Sequence, residues 1–199
     1  MKPVLATAAA ALLAAAGPAG LTAADSLAHW ASYARTARAG KLVGWMRCVM
    51  REEMTGRKCE AGKPEGAPPF FGRHGIFVTL VRGRTVRGCY GAFHHKSDDL
   101  ALVLREYLMG ALRCDPRHEP LDESEYEETD IVITVAGDRF PVDDPDLIDI
   151  SREGLALSLE DGGRLVFVPA EFRSIDYMKT KIPRNGVVQA FGFRAVTIR

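Results

Sequence analysis

The sequence lacks an excess of charge of either sign. Its 199 residues include 26 lysines and arginines and 26 aspartates and glutamates, so the formal net charge is zero. Proteins that bind nucleic acid or an anionic membrane normally carry a basic excess or a clustered run of Lys and Arg. The sequence therefore predicts neither class of partner. Its hydrophobic content of 47% is ordinary for a globular domain.

Motifs that identify common enzymes by their spacing are also missing. There is no Gly-x-Ser-x-Gly elbow, P-loop, dinucleotide fingerprint or His-Glu-x-x-His pair. Two acidic stretches, DESEYEETD and PVDDPDLID, lack the alternating ligands and the central glycine of a calcium loop. The reaction, if there is one, and any cofactor stay unknown at this level.

No apolar run is long enough to span a membrane. Residues 4–16 form an uncharged run of 13 residues, whereas a helix needs about 20 to cross a hydrocarbon core. Lys2 before the run, Gly17-Pro18 after it and small residues at 19–24 have the layout of a secretory signal peptide. We expect residues 1–24 to be removed and residues 25–199 to form a single exported domain, periplasmic or secreted.

Cysteine is scarce, but the number is even. In an oxidising compartment an even number favours disulfides over free thiols. Cys48 and Cys59 are close in sequence, with a Gly-containing turn between them, and Cys89 and Cys114 would then form a second pair. Three pairings are possible, and the sequence does not choose among them.

Helical patterns occur in two regions. Apolar residues recur at three- and four-residue steps from 26 to 54, and Gly40 is predicted to divide this region into two helices. A second apolar stripe follows Ser97, the predicted N-cap, and the helix is expected to stop at Asp115-Pro116. The Gly- and Pro-rich residues 56–72 predict a connecting loop.

The remaining chain has the pattern of an antiparallel sheet. GIFVTLVRGRTVRGCYGAF and GLALSLEDGGRLVFVP predict hairpins, DIVITVA a buried strand, residues 171–181 a short helix and VVQAFGFRAVTI a closing strand. Gly88 and Gly91 inside a strand suggest a bulge or a close backbone approach. Hairpins with helices set apart from them predict the α+β class.

Five segments, in order, resemble the AMMECR domain family. They are GIFVTL, VRGCYGAF, DPRHEPL, DIVITV and SREGLALSL, spanning residues 75–159. The most specific elements are an Arg-Gly-Cys-x-Gly core (Arg87, Gly88, Cys89 and Gly91) and the Asp115-Pro116-Arg117 turn beyond the intervening helix.

The resemblance implies an antiparallel sheet with flanking helices, and a larger and a smaller subdomain that meet at a cleft near the Arg-Gly-Cys motif. Microbial members are often encoded beside a Memo-type protein and a radical-SAM protein. Members are generally intracellular, so the signal peptide is a departure, as are His118 in the place of an aromatic residue and the additional thiol of Cys114.

Cys89 is the candidate catalytic residue. A thiol reacts as the thiolate, and a neighbouring cation such as Arg87 or Arg117 lowers its pKa. A structural cysteine buried in the sheet, or one bound in a disulfide, is the alternative. A zinc set drawn from Cys89, His94, His95, Cys114 and His118 is less favoured, because its members come from a strand, a loop and a helix end.

A small anionic ligand is the third hypothesis. Gly88 and Gly91 allow backbone N–H groups to approach a ligand, and Arg87 and Arg117 add positive charge. In the alternative, Arg117 pairs with Asp115 or Glu119 and only fixes the turn. The sequence thus predicts an exported AMMECR-type protein, either with small-molecule chemistry or ligand binding in the cleft, or acting as a non-catalytic, disulfide-stabilised binding or accessory module.

Overall fold

The computed structural model describes residues 23–182 and 186–199, so most of the predicted signal peptide lies outside the described residues. The described residues form four helices and six strands, with short 3₁₀ turns at Glu123–Glu128, Pro145–Leu147 and Pro169–Glu171. The helices are α1 (Ala23–Tyr33), α2 (Ala37–Thr55), α3 (Leu100–Arg113) and α4 (Ile175–Lys181). The strands are β1 (Gly75–Arg82), β2 (Thr85–Ala92), β3 (Thr129–Pro141), β4 (Glu153–Leu159), β5 (Arg164–Phe167) and β6 (Val187–Ile198).

The strands form one curled sheet in the order β2-β1-β3-β6-β4-β5. Every neighbouring pair is antiparallel, which confirms the α+β class. Both predicted hairpins are present, and their turns contain Gly83 and Gly162 at φ 59° and 81°. Glycine suits these positions because a side chain rarely adopts a positive φ.

The first helical region is divided at a different point from the predicted one. α1 ends at Tyr33 and α2 begins at Ala37, so Gly40 lies inside α2. The chain turns at Thr36, whose hydroxyl and backbone N–H both donate to the Tyr33 carbonyl, at 2.7 and 2.9 Å. A glycine is tolerated within a helix when tertiary packing holds the rest of it, and α2 buries seven residues.

The N-cap of α3 is Asp99, not Ser97. The Asp99 carboxylate accepts hydrogen bonds from the N–H groups of Ala101 and Leu102, at 2.8 and 3.3 Å. The Ser97 hydroxyl accepts from the Asp99 N–H at 3.0 Å and so stabilises the turn before the cap. A carboxylate is a cap as good as a hydroxyl and also interacts favourably with the positive end of the helix dipole.

Three apolar clusters hold the elements together. Helices α1, α2 and α3 pack on one face of β1 and β3, and this cluster includes Trp30, Leu104 and Ile133. A smaller cluster lies on the inner side of the curl, between β1, β2, β3, β6 and the chain after β5. The third joins β4 and β5 to α4 through Met178. No helix in the described part of the chain combines the length and hydropathy needed to cross a bilayer.

Candidate functional site

The Arg-Gly-Cys strand contains a β-bulge at its arginine. Val81 pairs with Val86 and Leu80 with Gly88, so Arg87 is the extra residue of β2. Its guanidinium makes two hydrogen bonds to Glu125, from Nε at 3.0 Å and from Nη2 at 2.8 Å. The bulge predicted from the glycines is present, and it directs Arg87 toward the 3₁₀ turn before β3.

The two glycines of the motif permit close packing within the protein. A Cβ atom at Gly88 would lie 2.0 Å from the carbonyl oxygen of Ala111 in α3. One at Gly91 would lie 2.3 Å from the carbonyl oxygen of Ile76 on β1. Any side chain at these two positions would displace backbone, so glycine is required for packing. That the glycines also allow backbone N–H groups to contact a ligand stays a prediction.

The Arg-Gly-Cys strand and the Asp-Pro turn are neighbours in space. Asp115, only 5% exposed, accepts a hydrogen bond from the Cys89 backbone N–H at 2.8 Å. This N–H lies on the outer side of β2, where the sheet offers no further strand. A carboxylate that accepts from a buried N–H satisfies a donor whose loss would cost free energy.

Arg117 connects this turn to the far end of the sheet. Its Nε and Nη2 donate to the two oxygens of Asp115, both at 2.9 Å. Its Nη1 lies 2.9 Å from Oε1 of Glu171, and the other Glu171 oxygen accepts from the Val168 N–H at 3.0 Å. The predicted alternative in which Arg117 pairs with Asp115 holds, but the second partner is Glu171, not Glu119.

These contacts close the curl of the sheet. Asp115 bonds to β2, at one edge, and Glu171 bonds to the segment that follows β5, at the other edge. Cys89 and Val168 pack together in the inner cluster between the two edges. Asp115, Arg117 and Glu171, called here the closure triad, are thus a polar connection between the two ends of one sheet.

The two carboxylates of the closure triad differ in proton affinity. Burial by itself would raise the pKa of Asp115, but hydrogen bonds from Arg117 outweigh it, and the pKa is lower than usual. Glu171 is buried and shares only one nitrogen of Arg117, and its burial raises its pKa. Glu171 is therefore the triad carboxylate that takes up a proton first.

Cys89 is a free thiol held in an apolar and acidic environment. Its side chain is buried, and its Sγ lies 3.3 Å from the hydroxyl of Thr79. Burial raises the pKa of the thiol well above its ordinary value, and the charge of Glu171 adds to this, against weaker opposition from Thr79 and Arg117. The thiol is therefore protonated near neutral pH, which makes it a poor nucleophile in this conformation.

His118 follows Arg117 in the chain, and its imidazole is affected by the charges of three cationic side chains. Burial lowers the pKa of the imidazole, and the positive charges of Arg117, Arg87 and Lys181 lower it further, against the opposing effect of Asp115. These three cations come from the loop after α3, from β2 and from α4. We call Arg87, Arg117, His118 and Lys181 the cationic rim.

The other predicted ligands do not come together. Within residues 23–182 and 186–199, no group of three His, Cys, Asp or Glu side chains is arranged to hold a metal. His95 donates through Nε2 to the His74 carbonyl and accepts at Nδ1 from the Tyr107 hydroxyl, both at 2.8 Å. Its two nitrogens are thus engaged within the protein.

The cysteines form one pair. The Cys48 and Cys59 sulfurs lie at disulfide distance, with a sequence separation of 11. The second pairing left open by the sequence is not formed, because Cys89 is buried on the sheet whereas Cys114 is exposed at the end of α3.

The motifs at this site agree with a known family. The family model described as AMMECR1 matches residues 43–185, well over half of the chain. The chain belongs to the AMMECR1 family. The closure triad and the Arg-Gly-Cys strand lie inside the matched region.

Relatives of this AMMECR1 domain occur in archaea and bacteria. A protein of Methanothermobacter thermautotrophicus is 31% identical over 121 residues, which are 57% of this chain and 62% of that protein. A protein of Methanococcoides burtonii is 34% identical over 133 residues, 61% of this chain and 66% of that protein. A Thermotoga maritima protein is 30% identical over 84 residues, 42% and 48% of the two chains. The matched region is thus less than two thirds of each relative's length.

A solved structure shows the same fold. The uncharacterised protein PH0010 from Pyrococcus horikoshii aligns with 82% of this chain and 91% of its own, at a TM-score of 0.53 and 20% sequence identity. At this identity the likeness concerns the fold alone. The arrangement of an antiparallel curled sheet with flanking helices is therefore that of an AMMECR1-family protein.

Glu171 is one of the residues of the AMMECR1 site, with Lys181, that sequence reasoning missed. It is far from the Arg-Gly-Cys motif in sequence and lies on the 3₁₀ turn Pro169–Glu171. The available signal is its setting, VFVPAEF, where a single carboxylate follows an apolar strand and precedes Phe172. A lone acid among apolar neighbours is expected to need a buried partner, because an unpaired charge is costly to bury.

Proposed function

We propose that this AMMECR1 domain binds a small molecule with a carboxylate or phosphate group at the cationic rim. The observation that carries the proposal is that Asp115 fixes Arg117 beside the strand that carries Arg87, because it accepts hydrogen bonds both from the Cys89 N–H of β2 and from the Arg117 guanidinium. The charge of Lys181 acts on the neighbouring His118 imidazole together with the charges of these two arginines. Arg87 and Arg117 are held in place by carboxylates. Arginines fixed in this way are suited to bind an anion with little loss of side-chain entropy.

Lys181 is the rim cation that is not engaged in an ion pair among the described residues. Among the described residues it has no carboxylate within ion-pair distance, and its ammonium lies 5.4 Å from the ring centroid of Tyr177. The guanidinium carbon of Arg173 also lies 5.4 Å from the Tyr177 ring centroid, and Nη2 donates to the Thr85 hydroxyl at 3.2 Å. Arg173 and Lys181 thus bring two cations to the same aromatic ring.

Titration with sulfate tests the proposal, because sulfate keeps its charge between pH 5 and 8. We expect perturbation of the His118 imidazole resonances, with affinity rising as the pH falls through the lowered pKa of His118. Arg87→Ala and Lys181→Ala should each weaken binding at least fivefold while leaving the fold intact. Inorganic phosphate and malonate, compared with sulfate, distinguish a phosphate from a carboxylate preference.

Two matched variants serve as controls. Arg82→Ala also removes an ion pair to Glu125, and Lys179→Ala removes a cation from the same helix as Lys181, where it pairs with Asp146 at 2.6 Å. Neither should change sulfate affinity. If none of the three anions binds, or if the controls weaken binding as much as the rim variants do, the proposal is wrong.

The mode of action we favour is binding without thiolate catalysis. The raised pKa of the buried Cys89 thiol opposes the catalytic role considered from the sequence. Alkylation by iodoacetamide at pH 7 tests this, with the exposed Cys114 as an internal reference. We expect Cys114 to react much faster. Faster labelling of Cys89 would restore the enzymatic hypothesis and overturn this part of the proposal.

We further propose that the protein is exported. The layout of residues 1–24 supports this, as does the Cys48–Cys59 pair, since disulfides persist mainly in oxidising compartments. Cell fractionation combined with the mass of the isolated chain tests it. A full-length chain found with the soluble cytosolic proteins, with four free thiols after denaturation without reductant, would contradict it.

A further inference from the structure

A large cavity lies between α1 and the sheet, away from the cationic rim. It has a volume of about 820 Å³ and is bordered by α1, by β3 and β6, and by the start of β4. Its apolar lining includes Leu27, Ala28 and Ala31 of α1 and Val196 of β6. None of the cationic-rim residues lines it, so it is a different place in the fold.

The cavity is also lined by charged residues. Three arginines line it, together with two carboxylates: Arg139, Arg152, Arg194, Asp138 and Glu153. Arg152 also pairs with Asp149 at 2.5 Å, outside the lining. A lining that combines apolar side chains with guanidinium groups suits an amphipathic anion.

A second cavity adjoins the first through shared residues. It has a volume of about 180 Å³, and Asp138 and Arg139 line both cavities. Arg73 and His94 bring further cationic or titratable groups to its lining. Over the two cavities, four arginines face two lining carboxylates, so positive charge is in excess.

Arg139 is held at the boundary between the two cavities. Its guanidinium carbon lies 5.4 Å from the ring centroid of Phe93 and 5.6 Å from that of Phe191. Stacking on aromatic rings restrains an arginine and leaves its N–H groups free to bind an anion. This position follows from the irregular register of β3 between Ala136 and Arg139, where Gly137 and Asp138 stand opposite the single residue Arg194 of β6 and β3 thus has one extra residue.

We propose that these two cavities form a second ligand site, which takes a small molecule with one anionic group and an apolar chain. The anionic group binds Arg139 and Arg194, and the apolar chain lies against Leu27, Ala28 and Ala31. The ligand chemistry is that of a medium-chain carboxylate or alkyl phosphate. The site does not depend on the cationic rim, and it fails or holds independently of the function proposed above.

Calorimetric titration of the purified chain with octanoate tests the proposal. We expect octanoate to bind, whereas acetate, which has no apolar chain, and hexanol, which has no charge, should bind at least tenfold more weakly. Octyl phosphate distinguishes a phosphate from a carboxylate head group. Arg139→Gln and Arg194→Gln should each weaken octanoate binding at least fivefold, because each removes one charged donor.

Variants that leave the arginines in place provide the second readout. Ala28→Trp fills part of the larger cavity, since Ala28 lines it, and should abolish octanoate binding. His29→Trp adds the same bulk one residue further along α1, at a position that does not line the cavity, and should bind as the wild type does. Lys179→Ala removes a cation that lines neither cavity and should also have no effect.

Two results would overturn the second site. One is the absence of octanoate binding to the wild-type chain. The other is binding that Arg139→Gln, Arg194→Gln and Ala28→Trp all leave unchanged in variants whose thermal unfolding shows that they are folded. Loss of octanoate binding in His29→Trp as well as in Ala28→Trp would place the effect on α1 as a whole and would also count against the cavity.

Discussion

Replacing Asp115 by alanine is the most direct test of the closure triad. The substitution removes four hydrogen bonds at once: one from the Cys89 N–H, two from the Arg117 guanidinium, and one from the Arg117 backbone N–H at 3.0 Å. Arg117 keeps Glu171 as a partner. The closure should therefore weaken without leaving an isolated buried charge.

The magnitude follows from the environment of each interaction. Leaving the buried Cys89 N–H without an acceptor costs about 1–3 kcal/mol. The ion pair contributes less than a fully buried one, since the Arg117 side chain is 31% exposed, and about 1 kcal/mol is reasonable for it. We expect Asp115→Ala to lower the free energy of unfolding at pH 7 by about 2–4 kcal/mol, taken together with the turn hydrogen bond.

Urea unfolding followed by circular dichroism measures this difference. Because the pKa of Asp115 is lowered in the folded state, its stabilising effect is complete above its ordinary pKa of 3.8 and is lost as the pH falls through the lower folded value. The difference in free energy of unfolding between the wild type and Asp115→Ala should therefore become smaller at acid pH. Asp146→Ala, which breaks the exposed pair with Lys179, is the control and should cost less than about 1 kcal/mol. If Asp115→Ala lowers the free energy of unfolding by no more than the control does, the role of the triad in closing the sheet is refuted.

Three further substitutions make separate predictions. Gly88→Ala should prevent stable folding or lower the melting temperature strongly, because its Cβ would meet the Ala111 carbonyl oxygen at 2.0 Å; melting unchanged from wild type would contradict this. Glu171 has a raised folded pKa, so wild-type stability should decline as the pH rises above 4.5, and Glu171→Gln should flatten that decline in a series of urea titrations. The hydrogen bond from Arg87 lowers the pKa of Glu125 to about 2, so the stability that Glu125 provides is present above pH 4.5 and is lost toward pH 2. The free energy of unfolding of Glu125→Gln should accordingly fall less steeply with pH in that range than that of the wild type. An equally steep fall in the variant would count against the ion pair.

The local pattern of the sequence predicted the strands better than the helix boundaries. Both hairpins follow from short turns with glycine between β-branched runs, and such signals act over a few residues. The division between α1 and α2 was misplaced because Gly40 is a visible helix breaker, whereas the turn at Thr36 depends on hydrogen bonds to Tyr33 that the pattern does not show. The cap is likewise Asp99 and not Ser97 because the helix begins at Leu100, and the sequence pattern does not fix that first residue.

The site could be predicted in part. The neighbourhood of Cys89 and Asp115 followed from the family resemblance, and the structure confirms that the two segments touch. Glu171 and Lys181 could not be placed, because their positions depend on how far the sheet curls, and curling is a property of all six strands. Sequence reasoning also considered Glu119 as a partner of Arg117, since neighbours in sequence are easier to pair than residues that only the curled sheet brings together.

The closure triad has a consequence for how this protein behaves among other chains. Strands at the borders of a sheet expose unpaired backbone groups, and these invite hydrogen bonding with a second molecule. Here the Cys89 amide on β2 is occupied by Asp115, and the Val168 amide beyond β5 is occupied by Glu171. The carboxylates therefore take up donors that would otherwise template intermolecular strand addition, and the same ionic contacts that complete the sheet also protect it from aggregation.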